Sequence, residues 1–379
     1  MQKLFVFLIA LCFGSSAQAQ NFNQDIADVV VGVDSVLHKV YAYEQIGIKK
    51  TGSPGFDSAT QWLINAYEKW GYEPHIDTFK YLQYTSNNVY IEKRAEESDE
   101  WIIIGAHCDS YGESKGANDN GSGVVATLEM ARLLRFLKLD KNVRIINFGA
   151  EEDGLRGSHY NVLDSEEGVY FMLNLDQLGG TKGQDNSKIV CERDEDNTPS
   201  VNNVQSWNIT DTLATIMDLY TNLTPVISYA YSSDYEPFED AGYVITGLYQ
   251  ESDYNQHYHS SSDLAVNMDT EATTQVIKGA IAAVLHFAQL KNTVAIEKTE
   301  IERMQLVPNP ARNVLVLKSD RDEKCSVVIR NTLGQELLNH RTHTNEPIDI
   351  SALPKGLYTV SIYTMQDVFL LHTKVNIVR

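Results

Sequence analysis

Apolar and polar positions along this chain follow two different rhythms. Between residues 100 and 180, EWIIIGAH (100–107), NVRIINFGAEE (142–152) and GVYFMLNLDQLGG (168–180) are short continuous apolar runs that end in polar or acidic residues. Such runs predict strands buried on both faces, as in a parallel sheet. Between the first two lies GSGVVATLEMARLLRFLKL (121–139), with Val124, Val125, Leu128, Ala131 and Leu134 on one helical face. Upstream, 22–47 reads as an irregular amphipathic helical segment, KKTGSPGFDS (49–58) as a turn, and SATQWLINAYEKWG (58–71) as a helix. Strands alternating with helices predict a three-layer α/β/α domain around a mostly parallel sheet. After residue 290 the rhythm changes. KNTVAIEKTEIER (291–303) is polar and reads as a linker. Beyond it NVLVL, CSVVIR, LYTVSIY and DVFLLHTKVNIV, broken by NPARN, TLGQ and LPKG, predict a small all-β, sandwich-like domain over 304–379.

The first residues stand apart. MQKLFVFLIALCFGSSAQAQ combines one Lys, an apolar run from Leu4 to Phe13 and small residues around Ala17 and Ala19, which predicts a signal peptide over 1–19. That run is too short for a bilayer span, and no later stretch reaches the ~20 apolar residues required. The chain thus divides into 1–19, a main domain at 20–290, a linker at 291–303 and a β domain at 304–379, and it reads as exported. Removing Cys12 with the leader leaves Cys108, Cys191 and Cys325, an odd set that argues against a disulfide framework. Net charge is −20, and from Met304 onward nine Lys/Arg face seven Asp/Glu, so the acidic excess sits in the main domain. A body of that sign repels phosphate backbones and anionic lipid, which excludes nucleic-acid binding as a function class.

Candidate chemistry collects where the strands end. In open α/β sheets ligands bind beyond the carboxyl ends of the strands. All three strands carry ionisable residues there: His107 and Asp109, Glu151 and Glu152, and Asp176. GANDNGSG (116–123) adds Asp119 within a run of small residues, and NQHYHSSSDL (255–264) adds His257 and His259. Imidazole nitrogen with carboxylate oxygen is the donor set of catalytic zinc, and a pair of metals sharing one water needs a bridging carboxylate. Asp119 is placed to be that bridge. Cys108 adjoins His107, but neighbouring strand residues face opposite ways, so it reads as a buried packing residue. His257 reads as a polar loop residue.

GAHCDS, GANDNGSG, FGAEEDGLRGS, NLDQLGG and HSSSD resemble, in order and spacing, the motifs of the secreted co-catalytic di-zinc aminopeptidases, relatives of glutamate carboxypeptidase II and of glutaminyl cyclases. The resemblance covers roughly residues 40–290. It implies a zinc-exopeptidase fold, two Zn²⁺ per domain and peptide substrates. It implies that Asp119 bridges the metals, that His107 and Asp176 complete one site, and that Glu152 and His259 complete the other. Glu151 would be the general base and Asp109 the residue orienting His107. Tyr231 resembles the tyrosine that supports the oxyanion, with Tyr229 as the alternative. One departure is Tyr235 in SSDYEPFEDAG, where the family often has His.

Three rival readings follow from the same scaffold: a glutaminyl cyclase, a carboxypeptidase, or a non-catalytic binding protein. A carboxypeptidase for acidic peptides wants an Arg cluster, and from 181 to 290 only Arg193 is present. A binding protein descended from an enzyme would lack ligands, and none of the set is missing. The tail has its own resemblance. LVPNPARNVLVL, VVIRNTLGQELL, IDISALPKGLYTVSI and HTKVNIVR look like the type A sorting domain of the type IX secretion system. That implies a secretion-machinery partner for 304–379 and an extracellular or cell-surface location.

Overall fold

The structure is a computed structural model that describes residues 22–163, 168–194, 199–250, 255–291, 304–319, 322–331, 335–364 and 369–378. The signal peptide read at 1–19 and all but the first residue of the linker lie outside the described residues. The main domain runs α1 (Gln24–Val30), α2 (Val36–Glu44), α3 (Pro54–Lys69), β1 (His75–Tyr81), β2 (Tyr84–Lys93), β3 (Trp101–His107) and α4 (Gly121–Leu134). It continues with β4 (Asn142–Phe148), α5 (Arg156–Leu163), β5 (Val169–Leu175), β6 (Lys188–Arg193), α6 (Asn203–Tyr220) and β7 (Thr224–Tyr229). Its last elements are α7 (Glu236–Asp240), β8 (Ile245–Tyr249) and α8 (Thr270–Phe287).

One eight-stranded sheet, in the order β1-β2-β4-β3-β5-β8-β6-β7, carries the domain. Its central strands are parallel, β4 to β3 to β5 to β8. The β1–β2 hairpin, its junction with β4 and the β6–β8 pair are antiparallel, so the sheet is mixed at its flanks. β3 and β4 are buried along their whole length, β4 with Arg144 paired to Glu92 within it. Alternation sends Ile102, Ile104, Val143 and Ile145 to a core shared with α1, α2, α3, α4, α6 and α8. Trp101, Ile103, Ile146 and Phe148 go to a smaller core beneath α7. These are the three layers.

α3 begins earlier than its apolar spacing suggests, because Ser53 caps it by accepting the Phe56 N–H and Pro54 occupies its first turn, where a missing N–H costs nothing. The glycines of GANDNGSG permit a close approach. A Cβ on Gly123 would collide with the Leu175 carbonyl oxygen and the Asn120 amide, so only glycine lets α4 start against the end of β5.

The C-terminal region comprises β9 (Gln305–Val307), β10 (Val314–Lys318), β11 (Lys324–Arg330), β12 (Glu336–His343), β13 (Pro347–Asp349), β14 (Gly356–Thr364) and β15 (Phe369–Ile377). They form two antiparallel sheets, β13-β10-β9 and β12-β11-β14-β15. Leu315, Leu317 and Ile348 of the first meet Val327, Ile329, Val360 and Ile362 of the second in a core separate from those of the main domain. Because the cores are separate, a chain ending near Lys298 is expected to be soluble and to melt in one cooperative transition. Circular dichroism melts and gel filtration check this; an aggregated product would make the β region part of the larger fold.

Candidate metal centre

The carboxyl ends of β3, β4 and β5 bring His107, Asp109, Glu151, Glu152 and Asp176 to one place, and two loops add Asp119 and His259. His107 Nε2 lies 3.2 Å from Asp119 Oδ1 and 3.4 Å from Asp176 Oδ1. His259 Nε2 lies 3.3 Å from Asp119 Oδ2 and 3.1 Å from Glu152 Oε2. Two donor triads result, His107–Asp119–Asp176 and Asp119–Glu152–His259, each compact enough for one cation. They share Asp119, one oxygen to each side. Glu151 Oε2 stands 3.9 Å from His107 Nε2 and belongs to neither of these triads, although it also clusters with His107 and Glu152.

The loops are held by polar side chains. Asn120 accepts the Gly123 N–H at 3.0 Å and donates to the Leu175 carbonyl at 2.9 Å. Ser122 Oγ donates to Asn118 O and accepts the Leu178 N–H, while Asn118 Oδ1 accepts the Gly179 N–H. The polarity of GANDNGSG is thereby spent on tying the bridging loop to the end of β5. Ala150 and His259 have φ of 57° and 51°, left-handed values that cost non-glycine residues about 1–2 kcal/mol each.

Two buried acids act on the backbone beside the donors. Asp109 accepts the Glu151 and Glu152 N–H groups, each at 3.1 Å, and its Oδ1 is 3.6 Å from His107 Nδ1. That last distance exceeds a hydrogen bond, so Asp109 touches the imidazole electrostatically while fixing the acid pair. Asp263 does the same for the bridge, accepting the Asn118 N–H at 2.8 Å and the Asp119 N–H at 3.0 Å. The motif HSSSD contains Asp263, but spacing alone shows no reason for it. Ser233 was also unforeseen: its hydroxyl donates to Asp176 Oδ2 at 2.7 Å and accepts from Asn174 Nδ2 at 2.9 Å.

His259 is clamped between two rings. Tyr258 stacks on it at 3.7 Å and Tyr111 at 4.0 Å, and two parallel rings that close must lie on opposite faces. Burial and then the carboxylates of Asp119, Glu152, Asp176 and Glu151 push the Tyr258 phenol up. Tyr258 and Tyr229 are each 49% exposed, and Tyr231 is 81% exposed. Tyr235 is 1% exposed, and its hydroxyl accepts the Tyr231 N–H at 2.6 Å, so at the position often held by His it anchors the backbone of that loop. Cys108 is fully buried against the Phe148 carbonyl, and His257 bonds Ser262 in its loop.

The cluster's charge suits a cation. Burial, reinforced by Asp119 and Asp109 against the opposing pull of His259, lifts Glu152 to about 7. Burial also lifts Glu151 to about 10, helped by Asp234, Asp176 and Asp109 and opposed by His107. Burial lowers His259, but hydrogen bonds to Asp119 and Glu152 outweigh it and hold the imidazole at about 9. Glu152 Oε1 and Asp176 Oδ1 are buried without a hydrogen-bond partner among the described residues. So many acids this close stay ionised only beside positive charge. Metal held by Glu152 and His259 would displace protons from both, so affinity for zinc is expected to rise with pH from 6 to about 9, measured by competition with a chelator of known proton linkage. A flat profile would exclude this pair as ligands.

A mixed α/β/α sheet with paired His/carboxylate triads at its strand ends fits a two-metal centre. Residues 88–284 match the family model described as Peptidase family M28, and the chain belongs to that family. Residues 305–375 match a secretion system C-terminal sorting domain. Aminopeptidase YwaD of Bacillus subtilis is 33% identical over 201 residues, 50% of this chain and 42% of that protein. An aminopeptidase of Pseudomonas aeruginosa is 28% identical over 229 residues, 55% of this chain and again 42% of the relative, so the chain spans less than half of either. Among solved structures, an aminopeptidase from Aneurinibacillus sp. strain AM-1 superposes with TM-score 0.61 at 18% identity, covering 71% of this chain and 97% of that one. Porphyromonas gingivalis glutaminyl cyclase superposes with TM-score 0.57 at 19% identity, covering 69% and 98%. At those identities the likeness is one of fold.

Proposed function

We propose that this chain is a secreted, zinc-dependent aminopeptidase that removes N-terminal residues from peptides. The observation that carries this reading is the split of the Asp119 carboxylate between two complete donor triads. His107, Asp119 and Asp176 would hold one zinc, and Asp119, Glu152 and His259 the other. When bound, the pair would polarise the scissile carbonyl and acidify a water between them. Glu151 takes the proton of the attacking water and returns it to the leaving amine, as a general base and then acid. The Tyr258 hydroxyl donates to the oxyanion as it develops, and stacking on His259 holds the ring in place. Asp109 and Asp263 fix the backbone that presents Glu151, Glu152 and Asp119. Residues 305–375 support export through the type IX secretion system to the cell exterior, after a signal peptide at 1–19.

A metal-dependent hydrolysis screen of free and N-blocked aminoacyl peptides tests the reading. Cleavage only of substrates with a free amine, abolished by chelation and restored by zinc, is the expected result. Turnover of N-terminal glutamine without hydrolysis would instead indicate a cyclase. Tyr258→Phe is expected to lower kcat by about 10²-fold with near-normal zinc content, and Tyr231→Phe to leave it almost unchanged. The reverse ranking would return the oxyanion role to Tyr231.

A further inference from the structure

The four-stranded sheet of the C-terminal region gives only one face to its own core. Cys325, Val327 and Ile329 of β11 and Val360 and Ile362 of β14 point into that core. Their alternates lie on the opposite face, where Ser326 pairs with Tyr363 and Val328 with Ser361. Yet Ser326, Val328, Ser361 and Tyr363 are only 9, 5, 1 and 8% exposed. A tyrosine on the outer side of a sheet is buried to that degree only if something beyond the sheet covers it.

Asp34, in the loop between α1 and α2, lies against that face. Arg330 Nη1 donates to Asp34 Oδ2 at 3.2 Å, and the Tyr363 hydroxyl donates to the same oxygen. The other oxygen, Oδ1, serves the main domain, at 3.2 Å from Lys39 Nζ. Lys39 also reaches Glu129 at 2.6 Å, Glu129 accepts the Asp34 N–H, and Arg132 grips Glu129 through two nitrogens. The Asp34 and Arg330 side chains are 15% and 12% exposed. Burial raises the Asp34 carboxyl, but Lys39, Arg132 and Arg330 together hold it well below the usual carboxylate range.

We propose that Asp34 is a docking socket for the C-terminal module. The outer face of the β11–β14 pair seats on the α1–α2 loop, and Arg330 and Tyr363 close on one carboxylate oxygen. The module therefore rides on the main domain in one orientation and is not a freely moving appendage. An exposed ion pair would achieve little, whereas this one is largely screened from water; removing either partner leaves the other only its ion pair within its own unit, Lys39 for Asp34 and Glu336 for Arg330. The covalent tether helps, because it holds the two surfaces at an effective concentration on the order of millimolar. While docked, the outer face of the β11–β14 pair around Tyr363 is closed to any other partner.

The test is a distance measurement in the full-length chain. The three cysteines of the described region are buried, so spin labels can be directed to Phe136→Cys on the main domain and Leu337→Cys on the module, both at exposed positions. Electron–electron double resonance is expected to give one narrow distance in that background. Asp34→Ala, which leaves the module's sequence intact, and Arg330→Glu, which leaves the main domain's intact, are each expected to broaden it several-fold while peptide hydrolysis stays near its starting rate. A broad distribution before either substitution, or a narrow one after either, overturns the proposal. Circular dichroism of both variants separates undocking from loss of fold.

Discussion

Replacing Glu151 by Gln is expected to leave the metal content near normal and to lower kcat by about 10²–10⁴-fold, the range for loss of a general acid–base group. Gln keeps the size of the side chain, and the 151 backbone N–H still reaches Asp109. Neither triad built on Asp119 uses Glu151, so both should load. The measurement pairs single-turnover kinetics with metal analysis of the same preparation. Near-normal turnover with full zinc would remove Glu151 from its role. A variant that loses one zinc would instead make Glu151 a ligand, through the alternative cluster with His107 and Glu152.

Asp119→Ala carries the next largest effect. Its carboxylate faces His107 with one oxygen and His259 with the other, so one deletion weakens both triads. After dialysis against a weak chelator this variant is expected to hold less zinc than His259→Ala, which damages only one triad. Activity should fall at least as far as in Glu151→Gln. Equal metal retention in Asp119→Ala and His259→Ala would mean that no carboxylate is shared. The two predictions separate chemistry from assembly: the first loses turnover with metal in place, the second loses the metal.

Much of the centre was legible in the linear sequence, for a local reason. The three apolar runs report strands buried on both sides, and such a strand keeps an ionised residue at its end or, like Arg144 in β4, beside a counter-charge such as Glu92. His107, the Glu151–Glu152 pair and Asp176 therefore declare themselves by where the apolar run stops. Asp119 is legible because its loop is made of small residues, which only a close approach demands. The three layers follow from strand–helix alternation, and the β character of the tail from its period of two.

What the sequence could not decide depends on partners far apart along the chain. Nothing near β1, β2 or β6 announces that they join the sheet antiparallel, since strand direction is set by how a connection crosses and not by composition. Asp263 meets the Asn118 and Asp119 N–H groups across some 145 residues, and Ser233 meets Asp176 across 57. Tyr258 and Tyr111 look like any other tyrosines until both are stacked on His259. Asp34 and Arg330 lie 296 positions apart, and either alone reads as a solvated surface charge. The sequence by itself determined which side chains could bind metal and which segments must be buried, because those properties belong to single residues and short periods. Only the tertiary structure decided which groups hold the candidate donors in place and which partners meet Asp34, because a hydrogen bond or an ion pair exists only once both partners share one place.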